Sequence, residues 1–456
     1  MQLLERLKLL EAENAQLREE NQTLREQLRS LLQQLERSRV KKDSHNSHNP
    51  PSQDKSRPPR TKSRRKKSNR KPGGQKGHQG HHLKMSDTPD KVIDLKSRYC
   101  NACGTDLQDV PADLLSKRQV IELPPIHPIY EEYRQYGCAC PNCGNHQVAD
   151  FPAGVNAPIQ YGSSVESYLT YFSVYQYVPY QRLKHLFFHT FNLPISEGSI
   201  QNLLQRAALK AGVVYEHIRK QLKKAAYLGG DETGAKVYGD KWWIWVWQNT
   251  LNTWLHASEN RGSATVETCF PEGFANATIG SDRWAAQLKT VAANHQLCLA
   301  HLERDLIFLE ESEKILWATH FRMLLKDALE LRAQADQQQC PFQLEEKVTW
   351  RLEDRLNRLL ARPILKDRYP QTAKFQRSMI QYRNYLFPFL YDLQIPPDNN
   401  GSERAIRNIK VKQKISGQFK SGQHDFCVLR SVIDTLIKRN LDVFTYLSKI
   451  MALQTS

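Results

Sequence analysis

The chain has 456 residues, 40% of them hydrophobic, with 65 Lys+Arg against 48 Asp+Glu and a net charge of +17. That length predicts about two to four domains rather than one core. No run of about 18 apolar residues occurs, which excludes a membrane-spanning helix, and the charged start lacks the apolar stretch of a signal peptide. Nine cysteines without an export signal predict reduced thiols and metal rather than disulfides, and so a cytoplasmic protein.

Residues 1–40 carry a heptad. Leu3, Leu10, Leu17, Leu24 and Leu31 occupy one core position; Leu7, Asn14, Asn21, Leu28 and Leu35 occupy the other. Such a pattern predicts a coiled coil, and asparagine at a core position favours a parallel pair in fixed register. The bland alternative is a long amphipathic helix packed on its own chain.

Residues 41–92 are rich in Pro, Ser, Gly, Lys and Arg and hold hardly an apolar side chain. Between Lys55 and Lys84 there are 12 Lys or Arg and no acid, so much of the excess charge sits in one short arm. An arm of this composition cannot offset its ordering entropy by burial and stays disordered until it meets a polyanion. The candidate DNA-binding residues are Lys62, Arg64, Arg65, Lys66, Lys67, Arg70, Lys71, Gln75, Lys76 and His78.

Residues 93–155 contain YCNACG and CACPNCG. Two Cys-x-x-Cys-Gly turns predict knuckles around a structural, tetrahedral zinc. Cys100, Cys103, Cys140 and Cys143 are the chosen ligands, with Cys138 spare and His146 a weaker candidate. Alternation over 120–136 predicts ribbon strands. Residues 156–224 read as helical: Leu183, Leu186, Phe187 and Phe191 form one stripe, and Ser196 caps a second helix. The pair resembles a helix-turn-helix that could enter a major groove, although helical hairpins are common.

From 225 to 309 the period changes to strands. A first strand ends near Asp231, aromatic strands follow over Trp242–Trp247 and Thr253–Ala257, a fourth ends at Asp282, and a fifth runs into a helix at CLAHLERD. Three antiparallel strands followed by alternating strands and helices is the order of a ribonuclease-H-like α/β core. A helical insertion fills 310–394, and residues 395–456 complete the core, with PPDNNGSERAIRNIK opening a helix that brings Glu403 beside Asp231 and Asp282. Three converging carboxylates repel unless cations lie between them, and hard ions with oxygen ligands fit, Mg²⁺ or Mn²⁺, two per site. Singly the signals are weak: Asp231 could be a turn residue, and Glu403 could simply pair with Arg407 four residues on. Arg404, Arg407 and Lys410 would lie along a phosphate path.

GGDETG, SDRW, CLAHLERD and PPDNNGSERAIRNIK, with NPPSQD and KPGGQKGHQG upstream, resemble the transposases of the insertion-sequence sixty-six family. The resemblance spans nearly the whole chain. It implies a multidomain α+β DDE transposase, bacterial and nucleoid-associated, that cuts and joins DNA at the terminal inverted repeats of its own element. Asp231, Asp282 and Glu403 correspond to its three acids. Partners would be element-end and target DNA and a second copy through the coiled coil; participation of accessory proteins of the same element stays open. A non-catalytic DNA-binding regulator or a structure-specific nuclease are the rival functions.

Overall fold

A computed structural model describes residues 2–40, 42–47, 77, 83–343 and 346–453. The predicted arm residues, Lys62 to Lys76 and His78, lie outside the described residues. No helix among the described residues is long and apolar enough to cross a membrane.

Helix α1 (Gln2–Arg39) leads the chain. Leu17, Leu24, Leu28 and Leu31 are all exposed on it. After the arm, β1 (Gly137–Ala139) and β2 (His146–Val148) form an antiparallel ribbon, Gly137 facing Val148. The ribbon strands predicted over 120–136 do not form: that stretch has no regular structure and is almost wholly exposed. Alternation makes a strand only where a second strand takes the backbone groups and a core takes the apolar face, and neither is present.

Next come α2 (Ser163–Thr170), α3 (Tyr180–Phe191) and α4 (Glu197–Lys223). Leu183, Phe187 and Phe191 are buried, and the Ser196 hydroxyl accepts from the Ser199 amide at 3.0 Å. The first turns of α4 are only partly exposed, because Ile200, Leu203 and Leu204 turn inward. Together these helices share one apolar core with the sheet that follows.

That sheet has five strands: β3 (Tyr227–Val237), β4 (Asp240–Gln248), β5 (Thr253–Ser258), β6 (Phe274–Ser281) and β7 (Ala292–Leu297). Their order is β5-β4-β3-β6-β7. The first three are antiparallel; β6 runs parallel to β3, and β7 parallel to β6. Tyr238 and Gly239, with φ of 50° and 92°, close the β3–β4 hairpin in two residues, the primed turn that matches strand twist. Short helices α5 (Ser263–Cys269) and α6 (Ala285–Leu288) flank β6.

Helices α7 (Leu299–Glu313), α8 (Leu316–Gln338), α9 (Lys347–Ala361), α10 (Pro370–Gln381) and α11 (Pro388–Tyr391) form the insertion around a second core, with Trp317, Phe321 and Phe389 fully buried. Buried Glu313 accepts from the first amides of α10, Gln371 and Thr372, each at 3.0 Å, which is a carboxylate at a helix start. Buried Arg332 donates to the carbonyls of Phe389, Leu393 and Ile395 and so fixes the exit of the insertion. The chain then returns to the sheet through α12 (Asn400–Ser416), α13 (Gln423–Lys438) and α14 (Val443–Met451). Hydroxyls of α13 cover edge strand β5: Ser431 accepts from the Leu255 amide at 2.8 Å and Thr435 from the Thr253 amide at 3.1 Å. An edge covered in this way cannot recruit a stray strand.

Candidate active site

Two acids meet because two strands are in register. Gly229 of β3 faces Gly280 of β6 in the parallel ladder, and Asp231 and Asp282 each stand two residues further along. Neighbouring strands lie about 4.8 Å apart, so equal offsets bring both carboxyls to one place. Asp231 is not at a strand end as expected. It sits inside β3, which continues to Val237 because residues 231–237 pair with β4 through the hairpin. Asp282 follows the last residue of β6 and accepts from the Trp284 amide at 3.1 Å.

The third acid arrives on α12, which begins at Asn400 rather than at Pro396. The residues before it are spent on anchoring. Pro397 accepts from the Leu299 amide at 3.0 Å, and Asp398 accepts from the Asn400 amide at 3.0 Å. Asn399 is buried: its amide group donates to the Gly230 carbonyl at 2.7 Å, its oxygen accepts from Ser402 Oγ at 2.7 Å, and its backbone N–H donates to Cys298 Sγ at 3.2 Å. Gln248 of β4 donates to Ser402 Oγ at 3.3 Å and accepts from Lys438 Nζ at 2.7 Å. A Cβ on Gly229 would strike Asn399 Oδ1, Gln248 Nε2 and Ser402 Oγ, and one on Gly401 would strike Gln248. Gly229 and Gly401 therefore let helix and strand touch beside Asp231.

Crowding of like charges shows in the acids themselves. Burial pushes the Asp231 carboxyl well above the usual carboxylate range, and the charges of Asp282, Glu232 and Glu403 push it further, against a backbone hydrogen bond from Glu232. Glu232, the next residue, is also raised by burial and by Asp282. It is compensated by Arg261 at 2.9 Å and by Gln287 at 2.7 Å. Arg261 in turn lies between the rings of Trp243 and Trp284, 4.5 and 3.8 Å from their centroids. A fourth carboxylate is thus present with a partner of its own, whereas Asp231 has neighbours of its own sign. Burial plus like charge is the environment that a bound cation would relieve, so the donor set fits a hard divalent ion. Among the described residues, however, no three His, Cys, Asp or Glu side chains stand close enough to enclose one ion.

Glu403 does not pair with Arg407. Its partners are His301 Nε2 and Arg304 Nη1 of α7, each 3.6 Å from Oε1. Arg404 and Arg407 are exposed on α12, while Lys410 is half-buried and donates to the Gly234 carbonyl at 2.8 Å, which ties α12 to β3. Sequence reading missed Glu232, Gln248, Asn399, Ser402, His301 and Arg304. The polar run DNNGS and the motif CLAHLERD were visible, but their partners lie on other elements.

A cleft of about 630 Å³ opens beside Asp282, lined among others by Lys42, Arg283, Trp284, Lys374 and Phe375. Lys42, just after α1, lies over the Phe308 ring at 4.8 Å.

In the cysteine-rich segment the two turns have one geometry. The Cys100 amide donates to Thr105 at 2.9 Å and the Gly104 amide to Cys100 at 2.8 Å; the Cys140 amide donates to Asn145 and the Gly144 amide to Cys140, both at 2.8 Å. Gly104 and Gly144 have φ of 76° and 74°. The amides of Cys143 and Asn142 draw the Cys140 thiol below its ordinary value. Hydrogen bonds from Thr105 do the same for Cys103. Amides and hydroxyls aimed at sulfur suit thiolates that hold a metal. Cys138 lies on β1, outside either turn.

No curated protein matches the chain. Residues 97–144 match the zinc-finger binding domain of transposase IS66, and residues 4–84 match a family of unknown function. Residues 158–424, more than half of the chain, match the Transposase IS66 family across sheet, insertion and α12. The chain therefore belongs to the IS66 family of transposases.

Proposed function

We propose that this transposase binds the terminal inverted repeats of its element and performs metal-dependent cleavage and strand transfer, with Asp231, Asp282 and Glu403 as the acids of a ribonuclease-H-like core. The observation that carries this reading is the register of β3 and β6, equal offsets from Gly229 and Gly280, with α12 clamped to the same point by Asn399. The strand order β5-β4-β3-β6-β7 and the parallel β3–β6 contact support the fold assignment.

Asp231, Asp282 and Glu403 would hold Mg²⁺ or Mn²⁺, two ions, whose chemistry is to lower the pKa of an attacking water or 3′-hydroxyl and to neutralise charge on the leaving oxygen. The protein's own part is positional. Asn399, Ser402 and Gln248 set the distance between α12 and β3, and Gln287 and Arg261 keep Glu232 turned to its own partners. Asp231 is only partly exposed and has carboxylates for neighbours, so its charge depends on whatever cation accompanies it. Exposed Arg404 and Arg407 are suited to phosphate positioning, while the arm and zinc module would bind the ends. Cys100, Cys103, Cys140 and Cys143 would hold structural zinc, and α1 would pair two subunits.

The test is cleavage and joining of element-end DNA by Asp231→Asn, Asp282→Asn and Glu403→Gln. Each should lose both reactions while end binding, followed by gel shift, persists. Undiminished joining by any of the variants would refute the assignment, and cutting without joined product in the wild type would favour a nuclease.

A further inference from the structure

CLAHLERD contains two side chains to which the mechanism above gives no task, His301 and Arg304. The rest of the motif holds α7 against its neighbours. Cys298 Sγ accepts from the Asn399 amide at 3.2 Å, the Leu299 amide donates to Pro397 at 3.0 Å, and Asp305 pairs with Arg283. The starts of α7 and α12 are thus one frame. Within it, His301 and Arg304 reach across to a single oxygen, Glu403 Oε1, each at 3.6 Å.

The side chains of Arg304 and Glu403 are 30% and 28% exposed. An anion from solvent can therefore reach the pair. A guanidinium takes a phosphate as readily as a carboxylate. A cation beside Asp231 would compete with Arg304 for the same carboxylate.

We propose that Arg304, assisted by His301, is a positioning latch: it holds the third acid until a DNA phosphate takes the acid's place on the guanidinium and releases Glu403 toward the cation site. This rests on the reading of Asp231, Asp282 and Glu403 as one site. The exchange is one of ion pairs only, with no bond made or broken. Its consequence is that the cation site becomes complete only when nucleic-acid backbone is bound, which guards against idle hydrolysis.

The test is Mn²⁺ binding by the zinc-loaded full-length protein, followed by electron paramagnetic resonance, with and without a short duplex of arbitrary sequence. Wild type should bind Mn²⁺ several-fold more tightly with duplex. Arg304→Ala, by deleting one positive charge beside the site, should bind about 3- to 10-fold more tightly without DNA, and duplex should add little. His301→Gln should shift affinity in the same direction by less, and Arg304→Lys should keep part of the wild-type pattern. A merely structural arginine would weaken binding on removal. An Arg304→Ala affinity equal to or below wild type overturns the latch, and so does a wild-type affinity that duplex leaves unchanged. Should Arg304→Ala not fold, Arg304→Gln is read by the same criteria. Failure of the underlying site is a different result: Asp231→Asn and Glu403→Gln would then bind Mn²⁺ as wild type does.

Discussion

Leu95, Leu115 and Leu123 are more than nine-tenths exposed, whereas Leu183, Leu228 and Leu255 are fully buried. The first three belong to residues 83–160 and the others to residues 163–453. In the later region, apolar burial fixes the elements and polar groups are then spent on placing acids. In the earlier one there is almost no core, only two knuckle turns and a three-residue ribbon. A segment with so little burial has to draw its order from elsewhere, and the zinc proposed at its two cysteine turns would supply it.

The largest expected contrast comes from chelation. Removing zinc should unfold residues 97–148, since a structural zinc is worth about 10 kcal/mol or more, while residues 163–453 melt unchanged. Hydrogen exchange at the amides of Gly144 and Leu228 reads the two regions separately. Cys140→Ser should act like chelation and Cys138→Ser should not; equal effects would reverse the ligand choice.

Next in size is chemistry. Glu403→Gln or Asp282→Asn should lower cleavage by about 10³-fold or more, without altering exchange in either region. A smaller effect separates the two kinds of glycine. Gly229→Ala, whose Cβ would strike Asn399 and Ser402, should cost about 1–3 kcal/mol by overpacking and also slow cleavage. Gly154→Ala meets open space, with only its φ of 87° opposing a side chain, and should cost about 1 kcal/mol with cleavage intact. Denaturant melts with cleavage assays on the same samples decide this.

The smallest effect is electrostatic. Asp231 in the folded chain keeps its proton to higher pH than in the unfolded chain. Above the ordinary carboxylate pKa the native state therefore binds more protons, and stability falls as pH rises through that window. Asp231→Asn should thus melt higher than wild type at pH 7 by about 2–4 °C for about 1 kcal/mol. The gap should close near pH 3.5, and saturating Mn²⁺ should narrow it at pH 7. A variant that melts lower at neutral pH would show that Asp231 is satisfied as a charge.

Local features were legible because their causes are local. The Ser196 cap and the knuckle glycines each depend on residues within a few positions. The order of strands was legible too, since period and length change visibly at Lys224. The extent of β3 was not: nothing in GGDETGAKV says that it runs on past Asp231, which its pairing with β4 decides. Alternation over 120–136 misled for the converse reason, having no neighbouring strand. Glu403 shows the same limit. Its spacing suggested Arg407, but helix α7 supplies the partners, His301 and Arg304.

Alone, the sequence determined the kinds of residue and their order: a heptad, two thiol turns, strand acids, a late helical acid, and family membership through its motifs. The tertiary structure decided which of these meet. Register between β3 and β6 aligns Asp231 with Asp282, and Asn399, reaching 169 positions back to Gly230, brings α12 alongside them. The physical reason is that backbone and caps are satisfied within a few residues, while a buried amide or carboxylate must find its partner wherever packing places one.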